Sequence, residues 1–393
     1  ARAGTTTVLD MGGTGQTLID GIKRRGAGLN VAGQFGLIPG LTIPMGDLRP
    51  GAVRRIVSDA LRQGCFGVKI LGGYNPFTPE TTARVIGESN RQRAYVAFHL
   101  GTTESGSHLG GVREIPGVVG SGRLHVCHVN SYCRGVVADS TEECDEALSI
   151  IESMRGQLNS EAYHAIQNGT SGRCDSDGAV MADVPRNCLR LRGYATTIDG
   201  LRQSIRDGYG SVVAQKGGQV YYARGDEALN LFDKGRSNVG MSFPVNLPSS
   251  AFRMATAKND DGEFTIDAVS TDGGSHPRNV AVQSTMALVQ FGALTRLEMA
   301  EKLSLNPAEM MGLTAKGHLT PGADADITVL DPNRNQPDMS LVAGRLIMHK
   351  GRIVGSGGTL LVNPIGEHTA KSSGLPYQVV DPMASKLYAG YAD

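Results

Sequence analysis

The chain has 393 residues, which is enough for one large domain and a smaller one. Its 38 Lys and Arg residues balance 38 Asp and Glu residues, so no global charge favours nucleic acid or an anionic membrane surface as a partner. No apolar run approaches the roughly 20 residues that cross a bilayer, and the six cysteines contain no Cys-x-x-Cys pair, so we expect reduced thiols and a cytoplasmic protein.

Short apolar strands alternate with helical segments along most of the chain. We predict strands at residues 5–10, 29–35, 68–71, 95–99, 123–129, 158–164 and 265–272, with amphipathic helices at 17–25, 51–63 and 142–154. Such alternation predicts an α/β fold with a parallel sheet and crossover helices. Seven strands fit a TIM (β/α)8 barrel that lacks its first strand, or an open doubly wound sheet.

The pattern divides the chain into three parts. Residues 1–312 are expected to form the barrel, interrupted at about 168–262 by a polar, glycine-rich insertion that lies over one face as a lid. Residues 313–370 change to the pattern of antiparallel strands and predict a small β-domain, and residues 371–393 predict a C-terminal tail.

Four polar residues stand near the ends of predicted strands: Lys69, His99, His128 and Asp272. The first three are separated by 30 and 29 residues, about one strand–helix repeat each. Because catalytic groups of such barrels come from the C-terminal ends of different strands, we expect these side chains to converge. Imidazole and oxygen ligands suit zinc.

Each of these residues also has a simpler interpretation. Lys69 could be a lysine that extends to solvent, the histidines could be hydrogen-bonded core residues, and Asp272 could form a turn before Gly273. Cys127 lies beside His128, but its spacing to Cys133 fits no closed four-ligand zinc pattern. The convergence of four such residues at repeat spacing favours the metal site.

Several segments together resemble the amidohydrolase superfamily, in the branch that contains dihydroorotase, the hydantoinases and the N-acyl-D-amino-acid deacylases. They are Gly67-Val68-Lys69, Ala97-Phe98-His99, residues 125–131, Ser270-Thr271-Asp272 and the run from Asn306 to Asp326. The resemblance implies a hydrolase of a carbon–nitrogen amide bond, of the cyclic amide or N-acyl amino acid type and not a peptidase. It also implies a TIM barrel with a small C-terminal β-sandwich.

The resemblance further implies a binuclear centre of two divalent metal ions, with zinc expected. Lys69, carboxylated on its amine, would bridge the metals, and His99 and His128 would bind the more exposed one. Asp272 would bind the buried metal and shuttle a proton from the metal-bound hydroxide that attacks the amide. His125 lies an odd number of residues from His128, so we expect it to face the other side of the sheet, outside the metal site.

One family feature is missing from this sequence. The family carries a His-x-His pair on its first barrel strand, and the 393 residues contain no such pair. Residues 3–10 resemble the second strand instead, and the chain starts at Ala1 without a methionine. The hypothesis is therefore that a separate N-terminal polypeptide supplies the first strand and two histidine ligands, in an oligomer.

The expected substrate pocket takes polar residues from the loops: Tyr74, Asn75, Arg134, Tyr163, His164 and Arg173. Arg134 or Arg173 could hold a carboxylate through two hydrogen bonds. Two other functions stay open. A non-catalytic amidohydrolase-like assembly subunit could also lack the first-strand histidines, and a single-metal deaminase of the same superfamily would not need Lys69.

Overall fold

The computed structural model describes residues 1–273, 276–356 and 358–388. The strands are β1 (Thr7–Gly13), β2 (Asn30–Leu37), β3 (Gly67–Leu71), β4 (Tyr95–His99), β5 (Leu124–Val126), β6 (Leu158–Tyr163), β7 (Gln167–Ser171), β8 (Ser211–Lys216), β9 (Gln219–Ala223), β10 (Gly240–Pro244), β11 (Ala268–Ser270), β12 (Ile327–Asp331), β13 (Gln336–Val342), β14 (Arg345–His349), β15 (Arg352–Ile353), β16 (Leu360–Val362) and β17 (Tyr377–Val379). The helices are α1 (Gly15–Arg25), α2 (Pro50–Arg62), α3 (Pro79–Arg91), α4 (Leu109–Arg113), α5 (Ile115–Val119), α6 (Ser140–Ser153), α7 (Asp183–Arg190), α8 (Ile198–Arg206), α9 (Gly225–Lys234), α10 (Pro248–Thr256), α11 (Ala281–Gln290), α12 (Arg296–Ala300), α13 (Asn306–Met310) and α14 (Glu367–Ser373). In these three described ranges, no helix combines the length and the apolar character that a membrane crossing requires.

The main sheet has nine parallel strands in the described residues, and seven of them follow one another in the order β1-β2-β3-β4-β5-β6-β11. Each strand is followed by a crossover that contains a helix, as expected for parallel neighbours. The prediction of a parallel α/β sheet is therefore confirmed. Within the described residues, β1 pairs only with β2 and β11 only with β6, so these two strands are the edges of the series.

The register of the central strands places Lys69, Ala97, His125 and Asn159 side by side in one row. Since side chains alternate along a strand, this row and its i+2 positions share one face, which we call the polar face. The opposite face carries Val68, Phe98, Val126 and their neighbours, which are fully buried in the core with α2, α3 and α6. The apolar rows thus pack against the helices, and the polar rows form the face on which a functional site can lie.

The insertion expected at 168–262 is a folded unit with its own core. Four strands pair in the order β7-β10-β8-β9, all antiparallel, and helices α7, α8 and α9 pack beside them. Leu201, Phe232 and Phe243 are fully buried in that core. Gly217 and Gly218 both have positive φ in the two-residue turn between β8 and β9, which explains the Gly-Gly pair there.

The C-terminal part differs from the expected boundaries. Strands β12 to β15 form one antiparallel four-stranded sheet, but β16 and β17 are parallel strands that continue the main sheet. Leu360 and Leu361 pair with Val31 and Ala32 of β2. The division at residue 370 into a β-domain and a tail therefore needs correction, because residues 360–362 and 377–379 belong to the main sheet.

Candidate active site

The ends of β3, β4 and β5 bring three of the predicted ligands to one edge of the main sheet. Lys69 lies within β3, His99 is the last residue of β4, and His128 follows the end of β5. His128 has a φ of 60°, a left-handed conformation that turns its side chain out of the strand alternation. As a result, the rings of His99 and His128 lie with their centroids 5.7 Å apart.

Glu161 of β6 holds His128 in place. Its Oε1 accepts a hydrogen bond from the backbone N–H of His128 at 2.9 Å and lies 2.9 Å from the ring Nδ1. Ser270 donates its hydroxyl to the other carboxylate oxygen. Burial by itself raises the pKa of Glu161, but the neighbouring His128, His125 and Ser270 outweigh it and bring the pKa to about 2. Glu161 is therefore an ionised, fixed acceptor on the polar face.

Lys69 is buried without a carboxylate beside it. Only 2% of the residue is exposed, and its Nζ lies 2.6 Å from the Sγ of Cys127 and 3.6 Å from the Sδ of Met11. In the part of the chain that the structure describes, no ion pair involves this ammonium. An uncompensated buried cation is costly, and conversion of the amine to a carbamate would remove that cost.

Asp272 follows β11 in a left-handed conformation, with φ of 46°. Its Oδ2 accepts a hydrogen bond of 2.8 Å from Nη2 of Arg278. The same guanidinium donates through Nη1 to the hydroxyl of Tyr163 at 2.7 Å, and the Tyr163 ring lies 5.3 Å from the ring of His128. Asp272 is thus linked to the histidines through two side chains, while 42% of its own side chain remains accessible to a ligand.

Four of the expected pocket residues border this edge. Tyr163 accepts the hydrogen bond from Arg278, and the ring centroid of Tyr74 lies 4.9 Å from that of His99. Burial, together with the carboxylate of Asp272, raises the pKa of Tyr74 to about 12, so its hydroxyl stays a donor at neutral pH. Arg134 donates two hydrogen bonds to Asn246, and Asn75 is held by a backbone hydrogen bond to Leu71.

The folded insertion lies against the same edge. The hydroxyl of Tyr74 is 3.5 Å from the side-chain oxygen of Asn168, and Arg134 reaches Asn246 just after β10. Tyr222 of β9 lies 3.4 Å from Nδ1 of His276, which precedes Arg278. These contacts locate the insertion over the C-terminal edge, where it can shape a substrate pocket.

The remaining two expected pocket residues lie elsewhere. His164 comes directly after Tyr163 and so faces the opposite side, where its Nδ1 lies 2.7 Å from the hydroxyl of Ser284 and its ring packs near Phe252. Burial lowers its pKa to about 4, so the ring is neutral. Arg173 is exposed on the insertion, and among the described residues its side chain forms no hydrogen bond or ion pair with this edge.

The placement of His125 corrects the sequence prediction. Side chains would alternate up to His128 only if the strand continued that far, but β5 ends at Val126. His125 shares the polar face with Lys69, and its Nδ1 lies 3.1 Å from the hydroxyl of Tyr95. Burial lowers the pKa of His125 to about 3. His125 therefore lies near the predicted ligands and not behind them.

Sequence reasoning also missed Glu161 and Arg278. A signal for Glu161 was available, because Asn159, Glu161 and Tyr163 alternate with smaller residues in a strand and mark one polar row. Arg278 stands in a loop beyond β11 without any pattern, and only the folded chain shows its two partners.

The residues at this edge fit a divalent metal by their chemistry. They offer two imidazoles, a carboxylate and a buried lysine whose charge is uncompensated. His99 has a pKa well below its ordinary value because of burial and the nearby His128 and Lys69, so its ring is neutral, as metal ligation requires.

Part of this chain is similar to a known family. Residues 200–355 match the model of the Amidohydrolase family. It is 33% identical over 148 residues to a dihydroorotase of Pelotomaculum thermopropionicum, which is 32% of this chain and 34% of that protein. It is 35% identical over 140 residues to a dihydroorotase of Desulforapulum autotrophicum, 30% and 32% of the two chains. The alignments thus span about a third of the length of these curated relatives.

Solved structures extend the similarity in fold to most of the chain. A D-aminoacylase aligns with a TM-score of 0.61 and 14% identity, over 90% of this chain and 82% of that one. A D-hydantoinase aligns with a TM-score of 0.51 and 13% identity, over 96% and 81%. A chain of the formyltransferase/hydrolase complex of Methylorubrum extorquens aligns with a TM-score of 0.57 and 16% identity, over 92% and 72%. At such low sequence identities, the similarity establishes the fold but not the function.

Proposed function

We propose that this protein is a metal-dependent hydrolase that cleaves a carbon–nitrogen amide bond, in a cyclic amide or an N-acyl amino acid. The observation that supports the proposal is the 5.7 Å separation of the His99 and His128 rings near the buried Lys69, with Asp272 linked to His128 through Arg278 and Tyr163. The names of the relatives support the reaction class, since dihydroorotases, hydantoinases and D-aminoacylase act on amides.

In this proposal, Lys69 as a carbamate, His99, His128 and Asp272 hold two divalent metal ions, with zinc as the expected metal. When bound, such a metal polarises an amide carbonyl and lowers the pKa of water to near 7. The uncompensated burial of Lys69 supports the carbamate, because carboxylation replaces a buried cation by an anionic ligand. One structural neighbour is a D-aminoacylase with a binuclear metal centre, in which one metal activates and the second attenuates, and this supports a site for two metals here.

Side chains of this protein would carry out the proton transfer and bind the substrate. Asp272 takes the proton of the attacking water on a carboxylate oxygen and delivers it to the leaving nitrogen. Arg278 keeps that carboxylate oriented through its 2.8 Å hydrogen bond. Tyr74, protonated at neutral pH, donates its hydroxyl to a polar group of the substrate, and Arg134 offers a guanidinium for a substrate carboxylate.

We also propose that a strand from outside residues 1–393 lies between β1 and β11 and brings the His-x-His pair. The support is that these two edge strands do not pair with each other among the described residues, and that the sequence has no such pair. An oligomeric assembly remains part of this proposal, and one structural neighbour belongs to a multi-subunit complex.

The test is turnover by the native, metal-loaded protein together with its metal content. The substrate panel contains dihydroorotate, hydantoins and N-acyl-D-amino acids. We expect hydrolysis of one class and about two metals per site. One metal with release of ammonia would instead indicate the deaminase, and a protein without metal or turnover would indicate the assembly subunit. Mass spectrometry of the native complex shows whether another polypeptide accompanies the chain.

A further inference from the structure

A second cluster of potential ligands lies on the polar face, formed by His125, Cys127 and Glu161. The pairing of His125 with Asn159 and of Val126 with Ser160 sets Cys127 beside Glu161 on the neighbouring strand. One ligand atom of each residue lies within 4.8 Å of the others, and the three residues are 5%, 0% and 4% exposed. Three different donor types therefore meet in a space closed to bulk solvent.

An unpaired ring nitrogen of His125 indicates a ligand at this cluster. Its Nδ1 lies 3.1 Å from the Tyr95 hydroxyl, which also accepts a hydrogen bond from Asn159 at 3.5 Å. Its Nε2 is buried and has no hydrogen-bond partner within the described residues. Buried polar atoms of proteins are nearly always paired, so an orphaned imidazole nitrogen needs an occupant. With the proton on Nδ1 donated to Tyr95, Nε2 keeps the free lone pair that metals bind.

The other two donors are prepared for the same role. Cys127 is fully buried, and its Sγ lies 2.6 Å from the Nζ of Lys69 on the polar face. Glu161 is fixed by the backbone N–H of His128 and by the hydroxyl of Ser270, as metal-binding carboxylates commonly are.

We propose that His125, Cys127 and Glu161 bind one borderline-soft divalent cation, Zn²⁺ by its chemistry, on the polar face. A set of one imidazole, one thiolate and one carboxylate suits zinc or cobalt and disfavours magnesium and calcium, which prefer oxygen ligands. Binding releases the thiol proton to solvent. None of the three ligands belongs to the set of Lys69, His99, His128 and Asp272, although Cys127 contacts Lys69 and Glu161 contacts His128. The two proposals are therefore tested with different variants.

The experiment strips the full-length protein of metal and titrates it with Co²⁺, whose bond to a thiolate produces a charge-transfer absorption in the near ultraviolet. We expect this absorption in the wild type, its loss in Cys127→Ser, and its retention in Cys133→Ser, where an equally buried cysteine lies outside the cluster. His99→Ala also retains it, which separates this site from the predicted hydrolase ligands. Turnover is measured in parallel, so failure of one proposal does not decide the other.

Two further variants keep the proposal falsifiable if Cys127→Ser does not fold. Tyr95→Phe retains the absorption but weakens Co²⁺ binding about 10- to 100-fold, because His125 loses its orienting partner. His125→Ala lowers the Co²⁺ stoichiometry by one per chain, with folding checked by circular dichroism. An absorption that is absent from the wild type at saturating Co²⁺, or that is unchanged in Cys127→Ser, overturns the proposal.

Discussion

Arg278 joins Asp272 to Tyr163: one guanidinium nitrogen lies 2.8 Å from the aspartate Oδ2 and the other 2.7 Å from the tyrosine hydroxyl. The arginine is 7% exposed on its side chain, whereas the aspartate side chain is 42% exposed. The more buried member of the pair therefore sets the position of the more accessible one, which is the arrangement expected of a positioning residue beside a reactive carboxylate.

We expect Arg278→Ala to lower kcat/KM by about 100-fold, because a carboxylate displaced by about 1 Å loses the alignment on which proton transfer depends. The loss should fall mainly on kcat. Arg278→Lys should recover only part of it, since one ammonium cannot replace both ends of the guanidinium. The matched control is Arg253→Ala, which breaks the half-exposed pair with Asp145. Steady-state kinetics that are equal for both alanine variants would contradict the positioning role.

Lys69→Ala should remove metal from the predicted binuclear site and abolish turnover, because the bridging carbamate is lost. Short carboxylic acids added to this variant should restore part of the activity by occupying the same space. The control is Lys302→Met, which alters another buried lysine away from this edge and should keep its metal. Metal analysis and turnover are the measurements, and a Lys69→Ala protein with full metal and full activity would exclude the bridging role.

Lys302 should make the stability depend on pH above neutrality. Its ammonium is buried, lies 2.6 Å from the carbonyl oxygen of Ile266 and stands 3.8 Å from the ring centroid of Phe264. Burial lowers its pKa to about 7. Between pH 7 and the ordinary pKa of 10.5, Lys302 is protonated in the unfolded chain but largely neutral in the folded protein. The free energy of unfolding therefore rises with pH across this range, and the contribution of Lys302 is least favourable below pH 7.

The measurement compares the free energy of unfolding of the wild type and Lys302→Met from pH 6 to pH 10. The difference between them should change by up to about 1.4 kcal/mol per pH unit above pH 7, in favour of the wild type. Comparing the two proteins removes the contributions of other titrating groups. Parallel profiles would show that Lys302 keeps an ordinary pKa in the folded protein.

Asn363 should be important for stability although it lies far from the site. Its amide donates to the carbonyl oxygens of Leu61 and Cys65 at 2.8 and 2.6 Å, and its side-chain oxygen accepts from the backbone of residues 365 and 366. Asn363→Ala leaves these buried groups unpaired and should cost about 3 kcal/mol. Asn333→Ala, at an exposed turn, should change stability by less than about 0.5 kcal/mol. Denaturant unfolding of both variants tests the contrast.

The parallel strands were predictable because their apolar residues recur with the right length and spacing, and β4 matches residues 95–99 as expected. The approach of His99 and His128 was predictable for the same reason, since each follows its strand at the same edge. What failed was the alternation argument at His125, because it needed the φ of His128, which is a local backbone property that no side-chain pattern reveals.

The relation of Arg278 to Asp272 and the return of the chain end to the main sheet were beyond sequence reasoning for a different reason. Both depend on contacts between segments that are distant or irregular, and such contacts leave no periodic trace. The short strands β16 and β17 contain three residues each, too few for a pattern to be seen.

The pairing of β16 with β2 also bears on how the protein is made. Val31 of β2 pairs with Leu360, which is synthesised much later because it lies far downstream in the sequence. During translation the edge of β2 that later receives β16 has unpaired backbone groups in a nascent chain, and such edges associate readily with other chains. Native assembly of this part of the sheet must wait until β16 has been synthesised, so translation passes through a long interval in which chaperones can act on β2.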